Sequence, residues 1–284
     1  MNLYYLGPEG SYSYEAANKI KDFFAKNLQE LNINSCANFF QIFKELEKSE
    51  TLAILPVENS TEGSVNTVID YLYSAENINI LGELIINISH CFYVSNQTEK
   101  PYKIYSHSQA LAQCGEFLKN HSDANLIPVE STSQAIENII KEKNCGAIAS
   151  KICGEIHNIK PIKENINDNP LNQTRFFLIS SNINKSFTFL ENFPKKASLA
   201  FYFSKDKAGS LYKVLQIFAT EEINLSKIES RPAKKELGEY LFFLDFSLDI
   251  PEEKFKNVLE KLEKITKYLK ILEIYAKKIG RAHV

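Results

Sequence analysis

A hydroxyl and a cation stand together where a polar, turn-prone stretch, Asn169-Pro170-Leu171-Asn172-Gln173, runs into the apolar run Thr174-Arg175-Phe176-Phe177-Leu178-Ile179-Ser180. A strand end is a rigid mount, and the loop beside it is open to a ligand. The guanidinium of Arg175 matches a carboxylate in two parallel hydrogen bonds, and Thr174 offers a hydroxyl beside it. Such a pair suits a small anionic substrate. Read alone, the segment is also an ordinary loop-to-strand transition carrying a surface Thr-Arg pair.

Other polar groups stand at similar junctions. Glu58, Asn59 and Ser60 follow the almost continuously apolar residues 52–57. Ser11 and Ser13 lie in Gly7-Pro8-Glu9-Gly10-Ser11-Tyr12-Ser13, a Gly/Pro turn between a strand and a helix start. Two glycines let backbone N–H groups approach a ligand, and a helix N-terminus favours an anion. No GxGxxG and no Gly-Lys-Ser/Thr occurs, so this is not a nucleotide loop. Plain alternatives are a tight turn at 7–10 and an Asn-Ser turn capping a helix at 64–74. Ser106 and Gln113 are seven residues apart, near one stripe of a helix that opens around 106. His90, inside an apolar strand, reads as a packed, hydrogen-bonded histidine. His107 and Lys151 are lesser candidates that also read as surface residues.

Elements to position these groups follow from the pattern. Apolar runs at 2–6, 31–36 and 52–57 alternate with amphipathic segments, which predicts a parallel sheet covered on both faces. Strands at 78–86 and 90–94 follow. A second unit repeats the pattern from 103 to about 160, and a strand at 175–181 closes the region. In such sheets ligands bind beyond the carboxyl ends of the strands, where Glu58, Asn59 and Ser60 fall. Two small α/β lobes with a cleft between them is the expected architecture. Residues 182–195 read as a domain boundary. From 197 onward, strand, helix, two strands, helix and strand spell βαββαβ, a ferredoxin-like module. Its exposed edge strand suggests pairing with a second copy.

Composition narrows the function. The 284 residues are 44% hydrophobic and 24% charged, with a formal net charge of -2. No basic excess signals nucleic acid. The five cysteines form no CxxC and no Cys-His zinc spacing, so free thiols in a reducing cytoplasm, and no metal or cofactor, are expected. No secretory signal opens the chain, and no apolar run approaches the roughly 18 residues of a membrane span. The last six residues, 279–284, look foreign, like the translation of a sequencing adapter, and are set apart from the fold.

Together, Gly7-Pro8-Glu9-Gly10-Ser11-Tyr12-Ser13, Pro56-Val57-Glu58-Asn59-Ser60, Gly63-Ser64-Val65, Ser106-His107 with Gln113-Cys114, and Asn172-Gln173-Thr174-Arg175-Phe176 resemble the prephenate dehydratase family. Gly209-Ser210-Leu211 and Glu229-Ser230-Arg231-Pro232, with Asn224-Leu225 before the latter, resemble its ACT regulatory domain. The resemblance implies a periplasmic-binding-protein-like, two-lobed catalytic region over 1–182, its second lobe roughly 96–160, then an ACT domain over 195–278. Prephenate would lose CO2 and water to give phenylpyruvate, the keto acid of phenylalanine.

In that reading Thr174 assists the departing hydroxide. Arg175 holds a substrate carboxylate or braces the cleft. Glu58, Asn59, Ser106, Gln113 and Asn172 orient the substrate, Ser11 and Ser13 supply donors, and Ser60 and Phe176 complete the lining. Glu58 is an anion in a site for a dianion, so it is protonated, points away, or repels the carboxylate that leaves. L-Phenylalanine would bind the ACT domain between two chains of a homodimer or homotetramer, at Gly209, Ser210, Leu211, Asn224, Leu225, Glu229, Ser230, Arg231 and Pro232. Arg231 has a second reading, as a brace of that interface. Ser210 and Tyr212 depart from the family's usual alanine and small aliphatic residue there. Only six residues precede Gly7, so no chorismate mutase region is expected. Rival readings are arogenate dehydratase, a non-catalytic amino-acid sensor and a solute-binding transport component.

Overall fold

The computed structural model describes residues 1–279 apart from 28, 49, 97–99, 182–186, 205, 206 and 233–239. Lobe one opens with β1 (Asn2–Leu6), α1 (Tyr12–Lys26), β2 (Asn32–Cys36) and α2 (Phe39–Leu46). It continues with β3 (Thr51–Asn59), β4 (Gly63–Ser64), α3 (Asn66–Ser74) and β5 (Ile78–Asn87). Lobe two holds β6 (His90–Val94), β7 (Lys103–His107), α4 (Ser108–Ala112) and α5 (Gly115–Lys119). Its remaining elements are β8 (Asn125–Val129), α6 (Thr132–Lys141), β9 (Cys145–Ser150) and α7 (Lys151–Ile156). The chain then returns to lobe one as β10 (Gln173–Ser181). The last module is β11 (Lys195–Tyr202), α8 (Ser210–Thr220), β12 (Leu225–Pro232), β13 (Tyr240–Ser247), α9 (Glu252–Glu263) and β14 (Tyr268–Ala276).

Local chemistry accounts for the helices that face the cleft. Ser11 caps α1 by accepting from the N–H of Tyr14, and Ala16, Ala17, Ile20 and Phe24 form its buried stripe. Ser131 caps α6 in the same way through the N–H of Gln134. These two helices present their first N–H groups, which have no partner within a helix, at the lobe junction.

The lobes are joined by two crossings, one near residue 88 and one over residues 163–172. In lobe one β1 pairs in parallel with β2 and β3, as expected. The sheet is nevertheless mixed. The returning strand β10 enters antiparallel between β3 and β5. Lobe two has its own sheet, ordered β6-β9-β7-β8, with β6 antiparallel to β9.

The C-terminal module is the expected βαββαβ, with antiparallel sheet order β12-β13-β11-β14. Its helices cover one face, around Val214, Phe218, Phe246 and Val258. Its sheet does not stop at the module. Ala276 of β14 pairs in parallel with Gly82 of β5, so one sheet runs β12-β13-β11-β14-β5-β10-β3-β1-β2. One core cluster also joins Ala53, Val57 and Ile179 to Ala200, Leu241, Phe243 and Tyr275. Ile279 is fully buried, and its N–H donates to Glu83 O at 2.8 Å, so this first residue of the foreign-looking tail belongs to the folded chain. Residues 280–284 lie outside the described residues, as do 182–186 of the boundary segment. Phe187 and Leu190, further along that segment, are buried in the core of lobe one.

Gly10 explains part of the lobe arrangement. It has φ +81°, and a Cβ there would lie 3.0 Å from Cys153 Sγ and 3.1 Å from Cys153 Cα of lobe two. Ser150 Oγ donates to Gly10 O at 2.6 Å, and Ser133 Oγ donates to Glu9 O. The 7–10 turn thus packs against the second lobe at Gly10, while Gly7 and Pro8 line the cavity between the lobes. Gly10→Ala is expected to cost about 1–3 kcal/mol through backbone strain, read as a lower midpoint in thermal unfolding.

Candidate active site

Thr174, second in β10, lies opposite Asn59, the last residue of β3. Asn59 Oδ1 accepts from the backbone N–H groups of Thr61 and Glu62 at 2.9 and 3.0 Å. Backbone donors leave no ambiguity about which end of the amide is which. Asn59 Nδ2 therefore faces the other way, donating to Thr174 Oγ1 at 2.9 Å and to Asn172 Oδ1 at 2.8 Å. An accepted bond leaves the Thr174 proton free to be given away. The same bond stabilises the alkoxide that proton loss creates. Asn172 is buried at 2% exposure, and its Nδ2 donates to Gln113 Oε1 at 3.1 Å. Ser60 Oγ accepts from the N–H of Gln173 at 3.0 Å, which ties the two strand ends together.

A cavity of about 360 Å³ opens between the lobes against these groups. Ser11, Ser13, Asn59, Gln113, Thr174 and Phe176 line it, with Phe39, Val65 and Ile88 as an apolar wall. Residues at the N-termini of α1 and α6, Tyr12 and Thr132, also line it. Among the described lining residues there is no Lys or Arg. An anion here meets helix N–H groups and hydroxyls in place of a side-chain cation.

Several expected site residues lie elsewhere. Ser106 belongs to β7, not to a helix start. It is fully buried, and its hydroxyl donates to Ile148 O at 2.7 Å. The helix begins two residues later, capped by His107, which does line the cavity. Glu58 points away from the cavity, toward Lys227 Nζ at 3.3 Å and Arg175 NH1 at 3.6 Å. Lys151 pairs with Glu164 at 3.1 Å on the surface of lobe two.

Arg175 is likewise turned away from the cavity. Its Nε meets Glu83 at 2.7 Å, NH1 meets Asp245 at 2.5 Å, and NH2 donates to Tyr275 Oη at 2.6 Å. The guanidinium also lies over the Phe177 ring, 4.6 Å from its centroid. Asp245 and Tyr275 come from the C-terminal module, so the cation ties that module to the strand carrying Thr174. Lys196 donates to the same Glu83 carboxylate at 3.1 Å, and Ser198 Oγ donates to Asp245 Oδ1 at 2.5 Å. The network is thus buried and charge-paired.

The expected effector residues divide in the same way. Gly209 has φ +84°, with no atom of the described residues within 4 Å of where a Cβ would stand, at the N-terminus of α8, and Asn224 and Ser230 are exposed. Ser210 Oγ accepts from the N–H of Lys207 at 3.1 Å, and Leu211 packs on the module's own core. Glu229 instead accepts from Ser64 Oγ and pairs with Lys227 at 3.2 Å. Arg231 pairs with Asp70 of α3 at 3.4 Å. Both lean on the catalytic region of the same chain.

The apolar strand around His90 predicts a packed histidine. It is buried, yet it lines the cavity with its Nε2 3.1 Å from Gln113 Oε1. Its place at the first crossing between lobes is a property of topology, which the local pattern does not carry.

The sequence matches a prephenate dehydratase family model over residues 3–184 and an ACT domain model over residues 198–266. It is 37% identical over 275 residues to a prephenate dehydratase of Methanocaldococcus jannaschii, covering 95% of this chain and 96% of that one. The structure of the Staphylococcus aureus prephenate dehydratase superposes with a TM-score of 0.83 at 31% identity, covering 97% of this chain and 100% of the other. The Arthrobacter aurescens prephenate dehydratase, solved in complex with L-Phe, superposes with a TM-score of 0.82 at 25% identity, covering 100% and 92%.

Proposed function

The chain belongs to the prephenate dehydratase family, with a C-terminal ACT domain, and from that premise we propose how its cleft turns prephenate into phenylpyruvate. The C1–carboxylate bond breaks and CO2 leaves. Its electron pair flows through the ring and expels the C4 hydroxyl, which takes a proton and departs as water. Thr174 gives that proton, and the Asn59 Nδ2–H bond to Oγ1 holds the alkoxide that remains. That 2.9 Å bond, with the Asn59 amide fixed by two backbone donors, is the observation that carries the assignment.

The N-termini of α1 and α6, with Ser13 and Thr132, hold the retained carboxylate. The apolar wall of Phe39, Val65, Ile88 and Phe176 faces the carboxylate that is lost, where a low-dielectric surface favours neutral CO2 over its anion. Asn172 and Gln113 orient the donor chain. Glu58, Ser106 and Arg175 act from outside the cavity.

Phenylalanine, the amino acid made from the product, binds the ACT domain between two copies of the chain, at the open turn of Gly209 and Ser210 and the exposed Asn224 and Ser230. The L-Phe complex of the Arthrobacter aurescens relative supports this reading. Because Glu229 and Arg231 touch Ser64 and Asp70, a ligand beside β12 shifts contacts made with the catalytic region. The working enzyme is a cytoplasmic homodimer or homotetramer, with the catalytic region over 1–182 and the ACT domain over 195–278. None of the described helices is long and apolar enough to cross a membrane.

The test is phenylpyruvate formation from prephenate, with and without phenylalanine. Turnover that falls in phenylalanine is expected, with heat released when phenylalanine is titrated into the protein. A folded sample that does not turn over prephenate overturns the reading. Faster turnover of arogenate than of prephenate would move the substrate to the amino-acid form.

A further inference from the structure

His90 occupies a position from which it sets the geometry of the proton donor without touching it. The backbone N–H groups of Thr61 and Glu62 fix Asn59 Oδ1 as an acceptor and Asn59 Nδ2 as a donor. Asn172 Oδ1, 2.8 Å from that Nδ2, accepts, so Asn172 Nδ2 is a donor. Gln113 Oε1, 3.1 Å from Asn172 Nδ2, therefore accepts as well. His90 Nε2 lies 3.1 Å from the same Oε1, so it must carry a proton. Two backbone amides thereby define a histidine tautomer four residues along a hydrogen-bond chain.

The surroundings hold that form. His90 is 3% exposed, and its Nδ1 is buried with no hydrogen-bond partner among the described residues. A second proton on Nδ1 would be a buried donor with nothing to accept it. Burial also pulls the imidazole pKa down, against the Gln113 bond that raises it. Tyr12, the first residue of α1, packs edge-on against the ring at 5.9 Å between centroids. The Tyr12 hydroxyl donates to Ser89 O at 2.6 Å and accepts from the Ser89 N–H at 3.1 Å, which fixes the backbone before the ring. The His90 N–H donates to Asn167 Oδ1 at 3.3 Å, on the second crossing between lobes.

We propose that His90, as the neutral Nε2–H tautomer, is a positioning residue for the dehydration: it anchors Gln113 and, through Asn172 and Asn59, aims the Thr174 hydroxyl. This rests on Thr174 being the proton donor. The chain begins at one lobe crossing, passes through Gln113 of lobe two and Asn172 of the other crossing, and ends in lobe one. It is complete only when the lobes stand as they do here. Closing the cleft and aligning the donor are then one event.

Two measurements on the full-length protein test this. In the ¹⁵N spectrum of labelled imidazoles, His90 is expected as a single neutral tautomer with its proton on Nε2. A proton on Nδ1, or an imidazolium at assay pH, overturns the proposal. In steady-state kinetics, His90→Phe keeps a ring and removes the donor. It is expected to lower kcat about tenfold to hundredfold, a share of the roughly 10²–10⁴ that a placed acid supplies, with KM changed less than about threefold. His90→Gln, which can again offer an N–H to Gln113, is expected to recover most of kcat.

A near-normal kcat for folded His90→Phe, equal losses in both variants, or a change confined to KM overturns it. If His90→Phe does not fold, the tautomer and His90→Gln decide. Thr174→Val separates the two readings. If it lowers kcat by about 10²–10⁴ while folded His90→Phe stays near normal, only the positioning role falls. If Thr174→Val retains turnover, the donor assignment falls and the His90 proposal with it.

Discussion

Thr174→Val is expected to lower kcat by about 10²–10⁴, the contribution of a well-placed general acid, while KM stays within a few-fold. Valine keeps the branched shape and removes only the hydroxyl, so β10 should keep its register with β3. The loss falls on kcat because the hydroxyl serves the transition state, where the C4 oxygen acquires charge, more than the bound substrate. Thr174→Ser restores the hydroxyl but not the rotamer restriction of a β-branched residue, and should keep a substantial part of the rate. The readout is phenylpyruvate formation by protein whose thermal midpoint matches that of the parent. A valine variant within about threefold of the parent kcat removes Thr174 from the proton-transfer step.

Arg175→Met is expected to destabilise the protein by about 3–5 kcal/mol, the range for breaking a buried ion pair from one side. The Glu83 and Asp245 side chains that face the guanidinium are 1% and 8% exposed. Without it Asp245 loses the Arg175 cation, and Glu83 retains Lys196, 3.1 Å away. Methionine fills the stem but offers no donor to either carboxylate or to Tyr275. Arg175→Lys keeps the charge yet cannot reach three partners along the guanidinium fork, so it should recover only part of the loss. Denaturant unfolding measures both. A midpoint shift worth less than about 1 kcal/mol would show that the network is not a main support of the fold. Since a typical domain is stable by only about 5–15 kcal/mol, a loss of the expected size should also be seen as poor yield of soluble protein.

These two neighbours show where sequence reading worked and where it stopped. The βαββαβ module was legible because its periodicities are local and change from two to 3.6 at each boundary. Thr174 and Asn59 were legible as strand-end polars but not as partners. They are 115 residues apart, and only the antiparallel entry of β10 sets them opposite each other. The motifs leave open whether Arg175 holds a carboxylate or braces the cleft, and whether Glu58 points away, although adjacent side chains on a strand point to opposite faces. Alternation alone predicts that Thr174 and Arg175 face opposite ways, as do Asn59 and Glu58, and the pairing of β10 with β3 then sets Thr174 beside Asn59 and Arg175 beside Glu58. That is the arrangement found. Ser106 failed for a related reason. Ser106 lies inside β7, which runs on through His107, so the strand extends past the expected helix start.

The single bridge between Ala276 and Gly82 changes what the last eighty or so residues are in practice. By sequence they form a cassette, with a boundary at which a protein engineer would cut and splice. By packing they are the far half of a common sheet, and their Asp245 and Tyr275 complete the coordination of a cation one residue from the proton donor. An ACT cassette moved here from another protein would have to bring an acceptor for Arg175 and an apolar face shaped to Val57 and Ile179. The sensing module is therefore not interchangeable: it has been fitted to this one strand.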